Sequence, residues 1–94
     1  MDEVIKMLKS HRIYFNPMSD HMVYFGMAED FIVGTFSFYG SEPLCRFSYQ
    51  DGDNKYFKNF KYNKDEFEDE LEKAGKAYVH FKNQEVENIL SVLD

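Results

Sequence analysis

The chain has 94 residues, with 11 Lys and Arg against 17 Asp and Glu, a net charge of −6; at 44% hydrophobic and 30% charged it is neither a disordered tail nor a membrane protein. This length supplies one domain, 1–94, because two would each be too small to bury a core without disulfides or metal. A lone cysteine, Cys45, cannot form an internal disulfide, which points to a reducing, cytoplasmic setting, and the acidity argues against general affinity for nucleic acid or anionic lipid.

Asp2–His11 has the spacing of a short helix, with Asp2 as N-cap and Val4, Ile5 and Leu8 on one face. Its charges interrupt any apolar run, so it lacks the core of a secretion signal. Short aromatic and β-branched runs follow, and they predict strands at Arg12–Asn16, His21–Met27, Phe31–Tyr39, Leu44–Gln50 and Lys55–Tyr62. In Phe31–Tyr39 the alternation places Ile32, Gly34, Phe36 and Phe38 on one face. Cys45, Phe47 and Tyr49 alternate with Arg46, Ser48 and Gln50 in the next strand. Asp51-Gly52-Asp53-Asn54 marks a hairpin, and the short turns favour an antiparallel meander.

Asn63 is placed to cap a second helix, with Glu66 at the third position and a Tyr62–Phe67 staple. Phe67, Leu71 and Ala74 form its inner stripe, and Gly75 is a candidate stop. Ala77–Lys82 then alternates like a strand. Asn83 caps a third helix with Val86, Ile89, Leu90 and Leu93 on one face. The expected fold is α+β: an antiparallel sheet of four to six strands with two or three helices packed mainly on one face.

Catalytic and metal signatures are missing. His11, His21 and His80 have no partner at zinc-ligand spacing. The flanks of Asp51–Asn54 read as strands, which disfavours a calcium loop. No glycine pattern for phosphate binding and no nucleophile elbow occurs. Cys45 has Arg46 on the opposite strand face, so it reads as an inert buried thiol. No enzyme, cofactor or metal is therefore expected.

Two features suggest binding. Lys55, Lys58 and Lys61 interleave with Tyr56, Phe57, Phe60 and Tyr62, a composition suited to stacking bases and holding phosphates. A lysine-protected edge strand accounts for it equally. The sharper feature is the run Asp65, Glu66, Glu68, Asp69, Glu70 and Glu72: six acids in eight residues. On a helix that is one charge per roughly 2 Å, against one per about 1.7 Å along duplex DNA. A solvated face favouring the helix dipole is the plain alternative. Surplus aromatics beyond one sheet face resemble an interface, or the seam of a homodimer.

The expectation is a non-enzymatic binding protein whose partner is a protein with a basic surface, such as a nucleic-acid-handling enzyme. Small acidic phage proteins that block CRISPR or restriction enzymes are similar in size and charge. Asp65, Glu68, Asp69 and Glu72, with Tyr56 and Tyr78 as aromatic anchors, are the expected contacts. Alternatives are a small nucleic-acid-binding module built on residues 55–62 and an oligomeric accessory protein with no site.

Overall fold

The computed structural model describes residues 2–39 and 42–93. A helix α1 (Asp2–Ser10) precedes five strands, β1 (Tyr14–Ser19), β2 (Met22–Ala28), β3 (Phe31–Tyr39), β4 (Glu42–Asp51) and β5 (Asn54–Lys61). One long helix, α2 (Lys64–Leu93), follows them. The strands form a single antiparallel sheet in chain order, β1-β2-β3-β4-β5. The fold is α+β with a five-stranded antiparallel sheet and, among the described residues, two helices.

Local chemistry explains each boundary. Arg12 takes a left-handed conformation, φ 58°, two residues past the end of α1. The amide of Ile13 donates to the Leu8 carbonyl at 2.9 Å and that of Arg12 to Lys9 at 3.1 Å, the paired bonds of a Schellman stop. β1 runs later than its sequence suggests and takes in Pro17, which an edge strand tolerates; the register slips between Pro17 and Ser19. Between β4 and β5, Gly52 at φ 61° opens a two-residue hairpin, with Asp51 paired to Asn54.

β3 departs from simple alternation. Phe25 pairs with Gly34 but Gly26 pairs with Ile32, so Val33 is the extra residue of a bulge. Past it the inward set changes parity. Phe36 and Val33 are both buried, whereas Ile32 is exposed and does not share the face of Phe36. The strands approach closely at the bulge. A Cβ on Gly26 would lie 2.2 Å from the Phe31 carbonyl oxygen, so only glycine fits.

Residues 77–82, which alternate like a strand, are helical, and α2 runs unbroken through Gly75. The physical reason lies in Ala74, Ala77, Tyr78 and Phe81, which also match helical spacing. Phe31 of β3 receives the Tyr78 ring at 5.2 Å and the Phe81 ring at 5.3 Å. Tertiary packing therefore decides between two admissible periods. The third helix expected from Asn83 is the last third of α2.

Val4, Met7 and Leu8 of α1 and Phe67, Leu71 and Ala74 of α2 share one core with Val23, Phe25, Val33, Phe36, Cys45 and Phe47. Its centre is a cluster of edge-to-face rings: Phe25–Phe47 at 5.3 Å, Phe25–Phe67 at 5.4 Å and Phe47–Phe67 at 5.7 Å. Such ring pairs add about 0.5–1.5 kcal/mol each beyond their area.

Candidate interaction surface

The first turn of α2 is fixed as its residues suggest. Asn63 Oδ1 accepts the Glu66 amide at 3.1 Å, and the Tyr62 and Phe67 rings meet at 5.7 Å. This anchors the acidic run rigidly over the sheet and divides it. Glu66 and Glu70 lean toward β5, where Lys58 Nζ meets them at 3.0 and 3.2 Å. Lys73 reaches Asp69 at 3.3 Å and Glu70 at 3.5 Å. The carboxylates raise both ammonium groups above the usual lysine range, Lys58 through its bonds to Glu66 and then Glu70, Lys73 through Asp69 first. Glu70 is buried. Its two lysines supply the compensation that a buried carboxylate requires.

Asp65, Glu68 and Glu72 form no ion pair among the described residues. Spacings of three and four place them on a common side of α2. Glu68 shares a shallow groove of about 300 Å³ with Glu3, Lys6 and Lys64, which joins this side to α1. There the Tyr62 hydroxyl donates to Glu3 Oε1 at 3.3 Å, and burial followed by the Glu3 charge pushes that hydroxyl up to about 12.

The six expected contact residues do not form one patch. Asp65, Glu68 and Glu72 stay together, while Asp69 is tied to Lys73. Tyr56 stacks on Tyr49 at 5.2 Å in a groove of about 520 Å³ between β5 and α2, beside Lys58, Glu70 and Lys73. Tyr78 is turned onto Phe31, with the Lys82 ammonium 5.6 Å from its ring. Neither ring stands next to the unpaired acids.

Sequence reasoning missed two arrangements. His80 Nδ1 lies 2.9 Å from Asp51 Oδ1 at a groove of about 660 Å³. This pair joins α2 to the β4–β5 hairpin across 29 residues, a separation no local motif marks. Among the described residues no serine, threonine, cysteine or lysine lines that groove. Among the described residues no group of three His, Cys, Asp or Glu is placed to hold a metal ion.

The second arrangement is the sheet face turned away from the core. Register aligns Asn16, Tyr24, Thr35, Arg46 and Asn59 across all five strands, and sets Lys55, Phe57 and Lys61 along β5. Arg46, Lys55 and Lys61 carry no ion pair among the described residues, and Phe57 is 73% exposed. Lys58, grouped with these lysines by sequence, points to the other face and is spent on Glu66 and Glu70. Alternation along β5 contains this split, but only the position of α2 shows which face is covered.

Among the described residues no helix is long and apolar enough to cross a membrane. Comparison with family models, with curated proteins and with solved structures returns no match.

Proposed function

We propose that this chain is a non-enzymatic binding protein whose α2 docks, through Asp65, Glu68 and Glu72, on a basic protein surface that otherwise holds nucleic-acid phosphates. It would inhibit a nucleic-acid-handling enzyme by occupying that surface, in the manner of phage proteins directed against CRISPR or restriction systems. The observation that carries this reading is selective neutralisation. Glu66, Asp69 and Glu70 are tied to the chain's own lysines, while Asp65, Glu68 and Glu72, on one side of the same helix, form no ion pair among the described residues.

Neutralisation also sharpens the mimicry. The three charges follow one another at three and four residues, about 4.5 and 6 Å along the axis at 1.5 Å rise. That spacing is closer to the roughly 3.4 Å per charge of one nucleic-acid strand than to a duplex. In this reading the partner's groove is one that tracks a single strand.

Affinity capture tests the reading. The triple variant Asp65→Lys, Glu68→Lys, Glu72→Lys should lose the protein captured by the parent chain, and single-stranded DNA should displace that protein from the parent. Undiminished capture by the triple variant excludes this side of α2.

A second reading is favoured by Phe57, open to solvent between Lys55 and Lys61 and one strand from Arg46. That face has the cations and the stacking ring of a single-strand-binding sheet. Direct, salt-sensitive binding of labelled single-stranded RNA, abolished by Phe57→Ala with Lys61→Glu, would select it over the first.

A further inference from the structure

The last third of α2 is unsupported. Thirty residues make a helix about 45 Å long, more than twice the molecule's two shorter extents of 21 and 20 Å. The sheet holds α2 through Tyr78, His80 and Phe81. From Asn83 to Val92 every residue is exposed. Val79, Val86, Ile89, Leu90 and Val92 are each more than half open to solvent.

We infer that this segment pairs with the same segment of a second copy, the two helices antiparallel. Three observations name that occupant. Residues 79, 82, 86, 89 and 93 recur at intervals of three and four, the seam spacing of a two-helix coil, with Val79, Val86 and Ile89 at seam positions. The segment is also self-complementary in charge: Lys76, His80 and Lys82 occupy its first half, Glu85 and Glu87 its second. Antiparallel alignment sets Val79 against Ile89 of the partner subunit and Lys82 against Val86 of the partner subunit. Lys82, which meets Glu85 of its own chain at 3.3 Å, then lies between Glu85 and Glu87 of the partner subunit as well. Parallel alignment would instead place each charge against its own copy, which is repulsive. Finally, a shallow depression of about 520 Å³, lined by Glu72, Gly75, Lys76 and Val79, lies where this alignment brings the last turn of the second helix.

The overlap covers residues 75–93, about 28 Å of helix. That is a short seam, below the roughly 800 Å² per partner of standard stable interfaces. The dimer is accordingly weak and concentration-dependent. It leaves Asp65 and Glu68 outside the seam and reaches only Glu72, so it does not rest on the docking reading above.

Sedimentation equilibrium on the full chain, from low micromolar to near-millimolar concentration, tests the pairing. The mass should climb from 11.2 kDa toward twice that value. Val86→Asp with Ile89→Asp should hold it at 11.2 kDa throughout, with an unchanged circular dichroism spectrum. Lys82→Glu should weaken association about tenfold, since the dimer contains that contact twice, and Lys82→Glu with Glu87→Lys should restore it. A mass of 11.2 kDa at every concentration overturns the inference, as does a dimer indifferent to Val86→Asp with Ile89→Asp. Failure of the charge swap to restore association overturns it too.

Discussion

The two ends of α2 are continuous in backbone and opposite in circumstance. From Phe67 to Ala77 the helix is half of a core: Phe67, Leu71, Ala74 and Ala77 are buried, and its inward carboxylate is matched by lysines from β5 and from its own next turn. From Asn83 to Val92 it touches nothing that buries a side chain. Both stretches carry apolar residues at helical spacing. An amphipathic stripe therefore states that a surface will be covered, and the surrounding architecture decides whether the chain itself supplies the cover. Short helices without a packed face are marginal in water, so the outer stretch is held by continuity with the inner one.

Substitutions at matched positions should pull the two ends apart. Phe67→Ala removes a fully buried ring from the centre of the aromatic cluster and should cost about 3–5 kcal/mol in denaturant unfolding. Val86→Ala, measured at a concentration where the chain is monomeric, should change stability by less than about 0.5 kcal/mol. Similar losses at the two sites would mean that the outer stretch packs on something at home.

A subtler contrast concerns Lys58 and Glu70. Lys58→Met leaves the buried carboxylate with Lys73 alone and should lower the melting temperature by several degrees. Glu70→Leu leaves lysines that water can reach, and should be close to neutral. The pH dependence has a definite sign. Lys58 holds its proton more tightly when folded, because of Glu66 and then Glu70. Its contribution is complete below the ordinary lysine value of 10.5 and is lost as pH rises through the raised one. Unfolding curves of the parent chain should weaken above that pH more steeply than those of Lys58→Met.

An effect of opposite sign is expected at the joint. Gly75 lies inside α2, and a Cβ there would meet only Met27 Sδ at 3.8 Å, an ordinary contact. Gly75→Ala should stabilise the chain by about 0.5–1 kcal/mol through helix propensity. It should also slow amide hydrogen exchange in residues 83–92, whose order depends on the turn before them. A loss of stability would mean that the glycine is needed for a bend.

Much of the architecture was legible because local rules and packing agree. The Asn63 cap, the Tyr62–Phe67 staple, the Gly52 hairpin and the Cys45–Phe47–Tyr49 face are each specified by a few neighbouring residues. Disagreement begins where two rules compete. Gly75 has the chemistry of a helix stop, and residues 77–82 have the alternation of a strand, but Phe31 offers a binding place for the helical set. The β3 bulge was invisible because a single extra residue leaves the composition of a strand unchanged while reversing its faces. The acidic run was plain in the sequence. Its division into satisfied and unsatisfied members depended on Lys58, which comes from a different element, 8 and 12 residues before Glu66 and Glu70.

Cys45 carries a practical consequence. Its thiol lies in the middle of the sheet, between Phe36 and Phe60 on the neighbouring strands, fully buried, and desolvation pushes it up to about 12. Neither an alkylating reagent nor a peroxide meets a thiolate there until the strands separate. The chain thus contains its own stopwatch. Where modification outpaces reclosing, the rate at which one sulfur becomes modifiable is the rate at which the core opens, and any ligand that braces the core will slow that clock without touching the atom that keeps the time.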